Sequence, residues 1–457
     1  MPPVPLPPSP PAQPDLDLRP RRQHFSLAHV RWFLKAVLRL PASLRAAAAT
    51  FQLLSSEGFA PTDDWHGPSA PGGRWWVLRV GLYEVQRPKE QADDWLWIID
   101  HTIQLGTTRV LVIVGLRLSA WEAKGRGVLR HQDLQVMLLE PLQKSNAEVV
   151  RSQLEKVASK SGAPRAILSD QCRELSNAVE LFQADHPRTL RLNDIKHRLA
   201  LLLERQLKPD PRWSEFLQAC QHMRKKSQQT PLAFLAPPAT KEKARFMNLG
   251  ELIRWGANTL KFLEQPVMPQ GVPLEHERLE GIFGELRKFV QAMDEWRCLI
   301  ELIDTTLARV RETGYHCECE VALRRELMPL ASQETARRFV EQVLSFVAEQ
   351  AAAFDPQEHL PGSSEVIESL IGKGKRLEGQ QSKSGFTRMV LGLATAVVNP
   401  TSDFLKQALE TIATKHVTQW ADQYLGPSLQ GLRQQTLGRL KAEQKRDKQL
   451  ASTSPSF

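Results

Sequence analysis

The apolar positions change their period several times along the chain, and each change marks an element. Leu27, Val30, Phe33, Leu34, Val37 and Leu38 fall on one stripe at three- and four-residue steps, which predicts a helix that Pro41 stops. An Ala-rich helix begins at Leu44 and runs to Leu54. A Pro/Gly-rich connection, Pro61 to Gly73, leads to a third segment, RWWVLRVGLYEV. The pattern then changes. Trp95 to Gly106, WLWIIDHTIQLG, is rich in aromatic and β-branched residues and reads as a strand buried on both faces. Arg109 to Leu116 and Leu134 to Glu140 read as two more strands. A helix follows, announced by a capping box of Ser145 and Glu148. Then come a strand Arg165 to Asp170, a helix Glu174 to Phe182, a strand Thr189 to Asn193 and a helix Ile195 to Leu207.

Three strands, a helix, a strand, a helix and a strand is the order of the ribonuclease H (RNase H) fold, an antiparallel meander extended by parallel strands through helical crossovers. In such a sheet the first and fourth strands are neighbours. Asp100 on the first and Asp170 at the end of the fourth would then face each other. A buried carboxylate costs several kcal/mol or more unless it is paired or holds a metal. Two carboxylates that close repel unless divalent cations lie between them, as in two-metal phosphoryl transfer. The plainer alternative for Asp100 alone is an acid that ends its strand and caps the next turn.

From about Pro209 to Asp355 helix follows helix, the longest predicted from His276 to Arg311 and another from Thr335 to Phe354. Pro361-Gly362 breaks the chain, and SSEVIESLIGKGK follows, with Ser363 a plausible N-cap. Glu365 and Glu368 are one turn apart on this helix, and Lys375 returns to nearly the face of Glu368. Gly372 and Gly374, each costing about 1 kcal/mol in a helix interior, are expected to end it early. A last amphipathic helix, Phe404 to Leu425, precedes a basic tail.

Composition narrows the classes. At 457 residues the chain is long enough for two to four domains, and its 42% apolar and 24% charged residues are ordinary for a soluble globular protein. Met389 to Val398, the longest apolar run, falls far short of the roughly 18 to 20 residues of a membrane span, and the amino terminus lacks the apolar core of a signal peptide. Five scattered cysteines fit a reducing compartment, and His316, Cys317 and Cys319 lack a second ligand pair at zinc-finger spacing. The expectation is a cytoplasmic protein with no membrane partner. A formal charge of +9 suits a polyanion such as DNA. The excess is concentrated in two places: residues 373 to 388, with five basic residues against Glu378, and the tail after Pro427, with six against two acids. For the tail alone, a solvated face is the reading to keep. The three amino-terminal segments, with Arg74 and Arg79 on the third, suggest a helix-turn-helix whose third helix would enter a DNA major groove; three helices packed for stability alone would look the same.

Four stretches together resemble the DDE transposases of bacterial insertion sequences, specifically a group whose catalytic domain is split by a long helical insertion: IIDHTIQLG, GAPRAILSDQCRELSNAVELF, RLNDIKHRLALLLERQL and, most specific, LPGSSEVIESLIGKGK. The resemblance spans roughly residues 44 to 425. It implies an α/β fold, an RNase H-like mixed sheet, with a predominantly α-helical insertion and an N-terminal helix-turn-helix-like domain. The domains would be a disordered Pro-rich tail (1–24), the DNA-binding domain (25–88), the catalytic domain in two parts (89–208 and 356–426), the insertion (209–355) and a basic tail (427–457). Asp100, Asp170 and Glu368 match the catalytic, metal-binding triad, holding two Mg²⁺ ions, with Mn²⁺ as a substitute. Lys375 matches the basic residue that follows, and Lys373, Lys375 and Arg376 would contact DNA phosphates along with Arg74 and Arg79. His197 fits the family pattern near the site, and a packed or capping histidine is the alternative. Cys172 and Gly374 depart from the group, which often has a glycine and a bulkier residue there. The implied activity is Mg²⁺-dependent DNA recombination: cutting and joining at element ends and target DNA, as a homodimer or higher oligomer on DNA in the bacterial nucleoid. The rival readings are an RNase H-like nuclease or resolvase, and a domesticated, catalytically inactive DNA-binding protein.

Overall fold

The molecule is organised around a five-stranded sheet, seen in a computed structural model that describes residues 18–40, 42–57, 66–105, 108–239, 249–266, 276–379, 387–426 and 431–440. Most of the Pro-rich and basic tails lie outside the described residues. The strands are β1 (Trp95–Leu105), β2 (Thr108–Arg117), β3 (Gln135–Leu142), β4 (Ala166–Ser169) and β5 (Leu190–Asn193), in the order β3-β2-β1-β4-β5. β1, β2 and β3 pair antiparallel, while β4 lies parallel to β1 and to β5. This mixed sheet is compatible with an RNase H-like α/β fold.

The period-two alternation of β1 explains what covers each face. Trp95, Trp97 and Ile99 join Leu111, Ile113 and Ile167 against helices α5 (Ala147–Ser161) and α6 (Arg173–Asp185). Leu96 and Ile98 face the other way, into the larger core. That side carries α3 (Ala70–Gln86), α14 (Glu365–Gly379) and α15 (Leu391–Val397), with α14 packed on β1. Asp100 has the parity of Leu96 and Ile98, so the alternation turns it toward α14.

The remaining helices are α1 (Leu27–Leu38), α2 (Leu44–Ser56), a short α4 (Leu118–Ala123) and α7 (Ile195–Leu207). The helical stretch supplies α8 (Pro211–Ser227), α9 (Leu249–Glu264), α10 (His276–Phe283), α11 (Val290–Thr313), α12 (Cys319–Leu327) and α13 (Glu334–Ala351). α16 (Ser402–Thr411) and α17 (Thr414–Tyr424) follow α15.

Several expectations are corrected. The helix expected from His276 to Arg311 is broken by a 3-10 turn, Gly284–Phe289, and the one expected from Phe404 to Leu425 breaks between α16 and α17. α5 is capped by Asn146, whose side chain accepts from Val149 N–H, and not by Ser145. α14 does not end at Gly372 or Gly374 but continues to Gly379, because Ile367, Leu370, Ile371 and Leu377 bury one side of it. The third amino-terminal segment is no recognition helix. α3 is buried on most of its surface and packs on α15, α16 and β3. A Cβ at Gly81 would stand 2.1 Å from Leu391 O, which shows how closely α3 and α15 approach. Such a helix cannot enter a groove without dismantling the core.

Candidate active site

Ile99 of β1 is in register with Ser169 of β4, so Asp100, midway along β1, and Asp170, the first residue past β4, follow them on neighbouring parallel strands. Asp100 Oδ1 accepts the His101 N–H at 2.6 Å. Asp170 Oδ1 accepts the Cys172 N–H at 3.1 Å, a bond that uses only the backbone of residue 172, so cysteine serves where glycine was expected. Burial, and then the charge of Asp170, raise the Asp100 carboxyl to about 7; Glu368 adds to the rise, while the His101 N–H and His197 oppose it. Asp100, Asp170 and Glu368 therefore share one electrostatic environment although 170 and 368 are far apart in the chain.

Glu368 reaches this place because α14 starts against α7. Asp194, fully buried, caps α7 by accepting the His197 N–H at 2.7 Å, and its other oxygen accepts the Ser364 N–H at the head of α14. His197 Nδ1 lies 3.1 Å from Asp194 Oδ1, and its Nε2 lies 3.7 Å from Glu368 Oε1. Burial lowers the pKa of His197, but its hydrogen bond to Asp194 and the charges of Asp194, Glu368 and Asp170 raise it overall. For Asp194 burial raises the pKa, and the His197 and backbone N–H bonds bring it below the ordinary value.

Lys196 Nζ donates to Glu368 Oε2 at 2.8 Å and lies 3.2 Å from Glu365 Oε1. Glu365 accepts two bonds from Arg311 of α11, at 2.5 and 2.7 Å. The two glutamates thus part in role: Glu365 ties α14 to the helical stretch, and Glu368 stays with the acids.

The basic residues of α14 also divide. Lys375 is exposed, about 20° from the direction of Glu368, and Gly372 between them leaves that face bare. Lys373 Nζ is 3.0 Å from His131 Nδ1, and Arg376 Nη2 donates to Val37 O at 2.9 Å, so the first turns toward the segment before β3 and the second toward α1. Arg79, expected to contact DNA, is 8% exposed and spends its guanidinium on Ile412 O at 2.5 Å, on Leu409 O and on Gln23. Arg74 is half-buried, its Nε buried without a hydrogen-bond partner.

Sequence reasoning missed three groups. Asp194 and Lys196 stand in the stretch RLNDIKHRL, where an acid before an apolar-periodic run signals a cap. His101, next to Asp100, lies 2.9 Å from Ser145 Oγ and 3.7 Å from Glu174 Oε1, and no local pattern announces that contact.

Among the described residues no three His, Cys, Asp or Glu side chains are placed closely enough to hold a metal ion as they stand. The donor chemistry of Asp100, Asp170 and Glu368, hard carboxylate oxygens, does fit Mg²⁺.

No family model and no curated protein matches the chain. Among solved structures it is similar to the Drosophila P element transposase strand transfer complex, at 10% sequence identity and a TM-score of 0.42, over 84% of this chain and 94% of that chain. A likeness of that degree does not assign a function. No helix among the described residues is long and apolar enough to cross a membrane.

Proposed function

We propose that the chain is a DDE transposase that cuts and joins DNA at insertion-sequence ends. The observation that carries this reading is the strand register that sets Asp100 beside Asp170 under the helix bearing Glu368, with the Asp100 carboxyl raised by burial and then by the two acids. Mg²⁺ would be held by Asp100, Asp170 and Glu368. Bound there, it would lower the pKa of the attacking water or 3′-hydroxyl and stabilise the charge that develops on the phosphate.

The chain's own residues do the rest. Asp194 and the buried face of α14 hold Glu368 at the sheet. Lys196 and His197 orient the Glu368 carboxylate. Lys375, beside the bare surface at Gly372, is placed to meet a DNA phosphate next to the acids. Neither Arg79 nor α3 takes part in this reading.

The test uses the full chain, Mg²⁺ and duplexes taken from the DNA flanking its gene on either side. Strand cleavage followed by joining of the 3′ ends to a second duplex, lost in Asp100→Asn, is the expected result. Cleavage without joining would favour the RNase H-like nuclease. Duplex binding with no cleavage in Mg²⁺ or Mn²⁺ would favour a catalytically inactive DNA-binding protein.

A further inference from the structure

A second charged feature lies on the far side of α14 from the acids. A cavity of about 310 Å³ opens between α1, the 3-10 turn His131–Asp133, α14 and α15, and Lys35, Arg39, Arg130 and Lys373 line it. Its apolar wall includes Leu34 and Val398, and no Asp or Glu contributes to it. None of the four cations is ion-paired to a carboxylate among the described residues. The acid nearest in sequence, Asp133, is turned elsewhere: it pairs with Lys124 and accepts the Arg130 backbone N–H at 2.8 Å.

A solvated basic rim would be the plain reading, and for part of the feature it has support. Lys35 and Arg39 sit at the carboxyl end of α1, where the helix dipole favours cations whatever the function. That does not explain why Arg130 and Lys373 arrive at the same hollow from two other elements. Nor are all the side chains solvated. Lys35 and Lys373 are half-buried, and their ammonium groups are pushed below the ordinary lysine value, first by burial and then by Arg31 and Arg39 in one case and by Arg376 and Arg39 in the other. No carboxylate offsets either. His131 adds no positive charge at neutral pH: burial and Lys373 bring its pKa to about 4, so its Nδ1 accepts from the Lys373 ammonium. Like charges gathered in a partly desolvated space repel, and an anion in the hollow would turn that repulsion into attraction.

We propose that this cavity is a phosphate-binding site, distinct from the carboxylate cluster. Two guanidinium groups and two ammonium groups around one hollow suit a tetrahedral oxyanion, because the planar forks fix its oxygens and the ammonium groups supply further charge. The phosphate has two sources, a phosphodiester of bound DNA or a free phosphate compound. The first rests on the function proposed above, and the second does not.

The experiment uses the full chain in metal-free buffer, with inorganic pyrophosphate as the small probe and a fluorescein-labelled duplex as the large one. Lys35→Gln/Arg130→Gln is compared with Lys406→Gln/Lys415→Gln, which removes the same charge from exposed positions on α16 and α17. Pyrophosphate should bind the wild type and the control pair, and at least tenfold more weakly the cavity pair. If DNA fills the cavity, the slope of log K against log salt for the duplex should also fall, by about 1 for each DNA phosphate that the variant no longer neutralises. A weakened pyrophosphate affinity with an unchanged slope assigns the cavity to a free phosphate compound, and a reduced slope alone assigns it to DNA; both support the site. Affinity for pyrophosphate and duplex slope both equal to wild type would overturn it. Should the cavity pair not fold, Arg39→Gln, an exposed position, is read in the same way. A wild type that cuts DNA while the cavity variant is unaltered in both arms removes the site and keeps the function. A wild type that binds pyrophosphate but no duplex does the reverse.

Discussion

Replacing Asp100 by Asn should make the metal-free protein more stable while destroying its chemistry. The amide oxygen of Asn keeps the acceptor that the His101 N–H uses at 2.6 Å, so the substitution removes little besides the ionisation. In the folded protein burial, Asp170 and Glu368 raise the carboxyl from 3.8 to about 7. In the unfolded chain it titrates near its ordinary value of about 3.9. Between these limits the folded state binds a proton that the unfolded state does not. The wild type therefore loses stability relative to the variant as pH rises through about 4 to 7, and the loss levels off above that window. At about 1.36 kcal/mol per unit, a rise of roughly three units corresponds to about 4 kcal/mol. Urea unfolding in EDTA should show Asp100→Asn ahead by up to that amount near pH 8, and level with the wild type near pH 4. If the acids hold Mg²⁺, adding it should restore the wild type, by RT ln(1 + [Mg²⁺]/Kd), and leave the variant unmoved. A stability difference that stays flat across the pH range, or a variant less stable than wild type near pH 8, would refute the reasoning.

Other substitutions separate roles that lie close together. Glu368→Ala should abolish Mg²⁺-dependent cleavage and leave duplex affinity nearly unchanged, whereas Glu365→Ala should cost about 1 kcal/mol through its partly exposed pairs with Arg311 and Lys196; activity lost at 365 and kept at 368 would make Glu365 the catalytic acid instead. Asp194→Asn should lose roughly 3 kcal/mol at neutral pH, because it breaks a buried pair and a cap. The folded pKa of Asp194 is lowered, so its stabilisation is present above the ordinary Asp value and lost as pH falls through the folded one; unfolding curves for Asp194→Asn and wild type should converge in acid. Arg79→Met should destabilise by roughly 2 kcal/mol, since it strands the carbonyls of Ile412 and Leu409. The salt slope of its duplex binding should match that of the wild type, and a shallower slope would return Arg79 to the DNA-contacting surface.

The sheet was legible because its strands carry their own period. Alternation and β-branched residues mark β1, β2 and β3, and the turn chemistry between them leaves few alternatives. α7 falls where its pattern places it, from Ile195 to Leu207. The amino-terminal helices were misjudged for an identifiable reason. RWWVLRVGLYEV is apolar nearly all round, and a helix with no polar face belongs in a core rather than in a groove. Arg79 disguised this, because the carbonyls that satisfy it lie more than 300 residues further along the chain. The glycines of α14 misled in the same way. Gly374 lies against Leu393, where a Cβ would come within 3.3 Å, so it allows α14 and α15 to pack closely and does not end the helix. Intrinsic propensity gave way to burial there, as it does wherever a packed face offsets the cost of about 1 kcal/mol per glycine.

The helical stretch between α7 and α14 poses the remaining physical question, how a site can depend on a residue delivered after so long a detour. Loop closure explains why the detour is tolerable: the entropic cost grows only as about (3/2)RT ln n, so doubling its length adds roughly 0.6 kcal/mol. What must be accurate is the closure itself, and it is built from buried groups at both ends of the stretch. Gln350 of α13 accepts the Asn193 N–H at 2.8 Å, the fully buried Tyr315 hydroxyl donates to Asn193 O at 2.9 Å, and Ile195 N–H donates to Gly362 O at 3.0 Å. Asp194 sits among these bonds and holds the first turn of α7 with one oxygen and the head of α14 with the other. Arg311 then fixes Glu365, one turn before Glu368, whose charge acts on the Asp100 carboxyl. The helical stretch is thus anchored within a few residues of the carboxylates, so a shift of α11 or α13 would move the start of α14, and Glu368 with it.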